Sequence, residues 1–105
     1  MPVYRVELSE PAENDVRDII VYVAAKLSAP NTAIKMADAF DDAWLRLGRN
    51  PNLYALINDD VLAAQGFRKI AIKNYLAFFT IDESAKVVDV HRVLYNRQDW
   101  ARLLQ

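Results

Sequence analysis

The chain has 105 residues, of which 53% are hydrophobic and 26% are charged, and its formal net charge is −1. These proportions are typical of one globular domain over residues 1–105 and exclude a disordered chain. The lack of cysteine excludes disulfides and thiolate chemistry, and a single histidine, His91, excludes a histidine-rich metal site. No apolar run reaches the about 18 residues that span a membrane, and the first residues lack a signal-peptide pattern, so we expect a cytoplasmic protein without metal or cofactor.

A strand and a helix are predicted at the start of the chain. Residues 3–8 alternate between apolar and polar side chains, which predicts a short β-strand. Ser9 is a good helix N-cap, and Pro11 fits only the first turn of a helix, so we predict a helix from Ser9 to about residue 27. Its apolar side chains recur at helical spacing and form one stripe: Ala12, Val16, Ile19, Ile20, Val23 and Leu27.

A second helix is predicted over about residues 32–47, after a break at 28–31 that contains Pro30. Its apolar stripe consists of Ala33, Ala37, Phe40, Trp44 and Leu47. Gly48 is predicted to be the C-cap of this helix, and Pro51 prevents the helix from resuming. Because the link between the two helices is short, we expect them to form an antiparallel hairpin.

The second half of the chain predicts a β-meander. Residues 52–65 show no clear period, and we predict a loop there with a helical turn at 60–65. Three runs rich in β-branched and aromatic residues follow, at 67–72, 75–81 and 87–95. The turns between these runs are too short for a parallel crossover, so the three strands are antiparallel. A last helical turn is predicted at 100–104.

This element order indicates an α+β fold, β-α-α-β-β-β, with a helical hairpin on one face of an antiparallel sheet and the other face open. Strand alternation places an apolar set against the helices: Val88, Val90 and Leu94. It places a second set on the open face, close to Lys69 and Lys73: Tyr75, His91 and Tyr95. Arg92 falls in the apolar register, and we expect it to pair with an acidic residue near the edge of the sheet.

Basic residues concentrate in the last third of the chain. Between positions 68 and 102, seven basic residues stand against four acidic ones. This local excess suits an anionic partner, although the protein lacks the overall basic excess that is usual for a nucleic-acid binder. Ordinary surface charge explains the same distribution equally well.

Two segments carry a resemblance to a known family. They read RKIAIKNYLAFFTID at 68–82 and VHRVLYNRQD at 90–99. This strand pattern, with its closing Arg-Val-Leu-Tyr-x-Arg-x-Asp, resembles the RelE/ParE superfamily, the toxins of bacterial type II toxin–antitoxin (plasmid stabilisation) modules. The resemblance extends over nearly the whole chain and implies that the first strand joins the edge of the meander.

The resemblance implies one of two growth-inhibiting activities. ParE-like members poison DNA gyrase by binding it, whereas RelE-like members cleave mRNA on the ribosome with positioned cations and a proton carrier. If the chain is a nuclease, the resemblance implies Tyr95 and Arg92 as its catalytic residues. For contact with nucleic acid or another target, the candidates are basic and aromatic residues that recur along residues 67–99: Arg68, Lys69, Lys73, Tyr75, His91 and Arg97.

Two departures from the cleaving members favour the gyrase hypothesis. The arginine that several of them carry at the start of the third strand is Tyr75 here, and the histidine that some carry before the late tyrosine is Leu94. We therefore predict ParE-like inhibition of DNA gyrase, which is not catalysis. The alternatives are a ribosome-dependent mRNA endonuclease and an inactive toxin fold that only binds its antitoxin.

The resemblance also implies a cognate antitoxin and a hetero-oligomeric complex. In such pairs a largely disordered antitoxin segment wraps the toxin and folds on binding. The predicted contacts are the open sheet face and apolar side chains on the outer surface of the helices and in the tail: Val21, Tyr22, Ala25, Trp100, Leu103 and Leu104.

Overall fold

Three strands of the sheet are consecutive in the chain, and the fourth comes from residues far before them. A computed structural model describes residues 3–104 and contains β1 (Arg5–Leu8), β2 (Arg68–Ile72), β3 (Tyr75–Asp82) and β4 (Val87–Tyr95). The strand order is β1-β4-β3-β2. Strands β2, β3 and β4 form the predicted antiparallel meander, and β1 pairs in parallel with the outer edge of β4. The α+β prediction is confirmed.

The first helix begins where the sequence predicts it. The Oγ of Ser9 accepts a hydrogen bond from the N–H of Ala12 at 3.1 Å, which caps α1 (Glu10–Val21). The helix then continues through a π-helical turn, Tyr22–Lys26, so that the helical segment ends close to the predicted residue 27.

The second helix, α2 (Pro30–Arg49), is longer than predicted at both ends. Pro30 occupies the first turn, where its missing N–H is not needed. Gly48 is not the C-cap: it lies buried in the last helical turn, and Asn50 is the cap. The carbonyl of Gly48 accepts the N–H groups of Val3 and Tyr4, each at 2.9 Å, so these two residues lie against the end of α2.

The remaining helices are short. A 3₁₀ turn at Pro51–Leu53 follows α2, and the predicted helical turns correspond to α3 (Asp60–Ala64) and α4 (Trp100–Leu104). Asp59 caps α3 by accepting the N–H of Leu62 at 3.0 Å. Of the helices within residues 3–104, none combines the length and the apolar character needed to cross a membrane.

Apolar side chains are buried on both faces of the sheet. The helix-side cluster, between the hairpin and the sheet, is built from Ala12, Met36, Phe40, Ala43, Leu47, Ile70, Ile72, Ala77, Phe79, Val88, Val90 and Val93. The outer cluster, on the opposite face, is built from Ile57, Leu62, Phe67, Phe78 and Leu94, with Trp100 and Leu104 packed against it. The prediction of an open second face is therefore wrong, because the 52–67 segment and α4 cover part of it.

A bulge in β4 changes which side chains share a face. Phe79 pairs with Val90 and Phe78 pairs with Arg92, so His91 is an extra residue in the ladder. Val90 lies on the helix side, as predicted. Beyond the bulge the alternation is inverted, so that Leu94 belongs to the outer cluster and its predicted place against the helices is wrong.

Candidate functional site

Arg92 is held by Asp15 of α1. Its Nε and Nη2 atoms donate to the two carboxylate oxygens at 2.7 and 3.0 Å, and the N–H of Val93 donates to Oδ2 at 2.9 Å. The side chains of Arg92 and Asp15 are only 30% and 16% exposed. The hydrogen bond to Asp15 raises the pKa of Arg92 further above its ordinary value. The predicted pairing of Arg92 with an acidic residue near the sheet edge is confirmed.

Along the last residues of β4, hydrogen bonds from side chains take the place of a neighbouring strand. Strand β1 stops where Leu8 pairs with Val90, so the following residues of β4 have no neighbouring strand on that side. The Oγ of Ser9 donates to the carbonyl of His91 at 2.8 Å, and Oε1 of Gln98 accepts the N–H of Tyr95 at 3.1 Å. With the bond from Val93 to Asp15, these contacts satisfy edge groups that another strand would otherwise pair with.

Tyr75 and Tyr95 lie on the side of the helical hairpin. The two residues face each other across β3 and β4, with ring centroids 5.7 Å apart and planes at 69°. The ring of Tyr75 also lies 6.5 Å from that of Phe40 in α2. Their predicted position on the open face is wrong. The bulge at His91 turns Tyr95 to the helix side, and Tyr75, which pairs with Tyr95, lies on that side as well.

These two tyrosines form one wall of a groove between α1 and the end of β4. This tyrosine groove has a cavity volume of about 500 Å³, and its polar lining includes Asp15, Asp18, Tyr22, Tyr75, Arg92 and Tyr95. Burial raises the pKa of Tyr75, and the neighbouring hydroxyls of Tyr95 and Tyr22 raise it further. The hydroxyl of Tyr75 therefore stays protonated to higher pH than that of an ordinary tyrosine, and it remains available as a hydrogen-bond donor.

His91 lies away from the tyrosine groove. Its ring packs against Phe67 of the outer cluster, with centroids 4.9 Å apart, and Nε2 lies 2.8 Å from Oγ1 of Thr80. Burial lowers the pKa of His91, and the nearby Asp89 opposes that shift. The predicted grouping of His91 with Tyr75 and Tyr95 is wrong, since the imidazole lies on the other side of the sheet.

The remaining basic residues of the predicted set are dispersed. Arg68 donates to the backbone carbonyl of Tyr54, which ties β2 to the preceding loop. Lys69 lies in β2, whereas Lys73 occupies the β2–β3 turn with a φ of 55°. Arg97 is exposed beyond the end of β4. Of these side chains, none lines the tyrosine groove as it is formed by residues 3–104.

The six predicted antitoxin contacts divide by exposure. Val21 and Tyr22 are 57% and 52% exposed, and Ala25 and Leu103 are exposed as well. Trp100 and Leu104 are partly buried, and the Trp100 ring lies 5.3 Å from that of Phe78. Helix α4 therefore completes the protein's own outer cluster, and only part of its surface is free for a partner.

Three polar residues that line the groove were not among the site residues predicted from the sequence: Asp15, Asp18 and Gln98. Asp15 and Arg92 are 77 positions apart, and nothing local in the sequence connects them. The bulge does leave a signal. Two polar residues separate Val90 from Val93, a spacing of three that breaks the strand alternation.

Comparison with known proteins places this geometry in a family. The family model described as the ParE toxin of the type II toxin–antitoxin system parDE matches residues 6–100. No curated protein matches the sequence. The fold is similar to those of several solved structures, among them three that share 12–19% of their residues with this chain.

The chromosomal ParDE system from P. aeruginosa has a TM-score of 0.70 at 18% identity, covering 89% of this chain and 96% of that one. The RelBE2 toxin–antitoxin complex of Mycobacterium tuberculosis has a TM-score of 0.64 at 19% identity, covering 90% and 99%. The RelE–RelB complex of Pyrococcus horikoshii has a TM-score of 0.53 at 12% identity, covering 91% and 98%. The chain belongs to the ParE toxin family of type II toxin–antitoxin systems.

Proposed function

We propose that this toxin inhibits DNA gyrase by binding it in the cytoplasm, and that a cognate antitoxin neutralises it. The observation that carries the proposal is the separation of the groups that RNA cleavage requires. Arg92 is neutralised by Asp15, and His91 lies on the opposite side of the sheet from Tyr95.

Cleavage of RNA through its own 2′-hydroxyl needs a cation at the phosphate and a proton carrier beside it. Two of the guanidinium nitrogens of Arg92 are already bonded to a carboxylate, which also cancels its charge. Tyr95 lines the groove beside this neutralised pair, whereas the imidazole of His91 lies on the other side of the sheet. A protein that binds and traps its target needs none of these groups, which favours the gyrase hypothesis over the nuclease.

Support for an antitoxin partner comes from the surface and from the relatives. Exposed apolar side chains, among them Val21, Tyr22 and Leu27, occur near the end of the first helical segment, where burial by a partner segment is favourable. Of the similar structures described above, one is a ParDE system, one is the toxin–antitoxin complex RelBE2, and one is a RelE–RelB complex.

The test is a pair of assays on toxin that has been separated from its antitoxin. One follows supercoiling by gyrase and the accumulation of cleaved DNA complexes, and the other maps cuts in translated mRNA by primer extension. We expect trapped gyrase and intact mRNA. Codon-register cuts that disappear in Tyr95→Phe would instead establish the ribosome-dependent endonuclease.

Neutralisation is tested by expression in growing cells. The toxin alone should arrest growth, and co-expression of the protein encoded by the adjacent reading frame should restore it. Normal growth with soluble toxin alone, together with silence in both assays, would identify an inactive toxin fold whose role is to bind its antitoxin.

A further inference from the structure

The tyrosine groove carries one unbalanced negative charge. Asp15 is balanced by Arg92, whereas Asp18 lies about one helical turn further along α1 and lines the same groove. Asp18 is exposed, and within residues 3–104 no lysine or arginine forms an ion pair with it. The groove therefore has a carboxylate available to a cation from outside the molecule.

Aromatic rings flank this carboxylate. Tyr75 and Tyr95 meet edge to face, and Tyr22 lines the groove from the end of the helical hairpin. A cation above such a ring is attracted by the negative π-face, and the attraction increases as water is excluded. Three rings and one carboxylate on the walls of a groove favour a cationic ligand over an anionic one.

The two outward N–H groups beside the groove are not free to pair with an added strand. Asp15 already accepts the N–H of Val93, and Gln98 accepts the N–H of Tyr95. A peptide lying here therefore gains more from a side-chain contact than from strand pairing. Among cationic side chains, the planar guanidinium of arginine stacks on aromatic faces and forms two parallel hydrogen bonds with a carboxylate.

We propose that the tyrosine groove binds an arginine side chain of a partner peptide, with the guanidinium against Tyr22, Tyr75 and Tyr95 and hydrogen-bonded to Asp18. This inference rests on the proposed function in assigning the peptide to the antitoxin. The exposed apolar surface at Val21 adjoins the groove along the chain, so one segment can contact both.

The first experiment measures affinity in the toxin–antitoxin complex. Asp18→Asn should weaken binding about tenfold, and Tyr22→Leu should do the same, whereas Tyr22→Phe should cost little because the aromatic face is kept. The matched control is Asp38→Asn, which neutralises an exposed carboxylate of α2 outside the groove. On the partner, each arginine is changed to glutamine, and one of these changes should be non-additive with Asp18→Asn.

Wild-type affinity in Asp18→Asn and Tyr22→Leu, or additivity for every arginine, would overturn the inference while leaving the antitoxin partnership intact. A second experiment does not depend on the antitoxin. N-acetylarginine amide, titrated at constant ionic strength into toxin with labelled tyrosine rings, should shift the NMR signals of Tyr22, Tyr75 and Tyr95. N-acetylcitrulline amide, which has a similar shape without the charge, should not, and the absence of any difference between the two probes would refute the site.

Discussion

Phe78 and Phe79 are neighbours in β3 and both are completely buried, yet they stabilise different parts of the molecule. Phe79 belongs to the helix-side cluster, which two long helices cover. Phe78 belongs to the outer cluster, which short helices and an irregular segment cover. Equal burial therefore does not mean an equal structural role, because the covering elements differ in length and in how many contacts hold them.

The helix-side cluster is the framework of the fold, whereas the outer cluster holds the short elements that cover the second face of the sheet. The helix-side cluster joins α1 and α2 to β2, β3 and β4, and Val6 and Leu8 of β1 pack against it, so its loss removes the fold. The outer cluster depends on α4, a five-residue helix whose Trp100 packs on Phe78. Helices this short have little stability of their own and depend on packing. The outer face is thus the side on which local opening is expected to cost less free energy.

The largest expected effect is that of Phe79→Ala. Removing this ring leaves a cavity that two long helices cannot easily close, so the free energy of unfolding should fall by about 4 kcal/mol. Urea unfolding followed by circular dichroism measures the loss. The matched control is Leu53→Ala, at a residue that is 75% exposed, which should change stability by less than about 0.5 kcal/mol. Similar losses in both variants would contradict the framework role.

Phe78→Ala should cost less, about 3 kcal/mol, because short elements can collapse into the space. Its distinctive effect is local: α4 should detach before the rest of the molecule unfolds. In a Trp44→Phe background the fluorescence of Trp100 reports this step. If the fluorescence of Trp100 changes only in the global unfolding transition, the outer cluster is not a separate unit.

Asp15→Ala tests how the helix side is attached to β4. The change leaves the guanidinium of Arg92 and the N–H of Val93 without their acceptor, and should lower stability by about 2 kcal/mol. Asp18→Ala, one turn away and exposed, should be within about 0.5 kcal/mol of wild type. Equal losses in these two variants, measured by urea unfolding, would mean that the ion pair does not stabilise the attachment.

The smallest expected effect is a pH dependence from His91 on the outer side. Burial lowers its pKa in the folded state below the ordinary value of 6.5, so around that pH the unfolded chain binds more protons than the folded one. The stability contribution is intact above pH 6.5 and is lost as the pH falls from 6.5 through the folded-state pKa. The urea midpoint should therefore decrease as the pH is lowered from about 7.5 to about 5.5.

His91→Gln provides the control for this prediction, because glutamine keeps a polar group near Thr80 but does not titrate. Its urea midpoint should vary less over the same interval. Asp82 and Glu83, whose pKa values are lowered by hydrogen bonds, affect stability only at more acidic pH. A wild-type midpoint that is constant, or that rises on acidification, would exclude the predicted role of the buried imidazole.

The element order could be predicted because its signals are local. Ser9 and Pro11 mark the start of α1, apolar periodicity defines both helices, and short turns force the meander to be antiparallel. The end of α2 was less predictable, since Gly48 signals a cap by its residue type but lies inside the helix and binds the start of the chain. Tertiary contacts override the local signal there.

The candidate site was less accessible to sequence reasoning than the fold. Along β4, strand alternation assigns the faces correctly up to Val90, and a single extra residue, His91, then reverses the positions of Leu94 and Tyr95. The pairing of Arg92 with an acidic residue was predictable from a charge in an apolar register. Its partner, Asp15, was not, because the contact exists only after folding. The predicted contacts with antitoxin and target remain predictions.

The parallel pairing of β1 with β4 has a consequence for protein synthesis. Arg5 pairs with Val87, so β1 cannot pair until a residue 82 positions later in the chain has been translated. At about 5–20 residues per second, translation of that interval takes roughly 4–16 seconds. During this time the nascent helices have no completed sheet to pack on, and neither the groove nor the outer cluster exists. Any inhibitory activity of the folded surface is therefore absent from the growing chain and begins only after β4 has been translated.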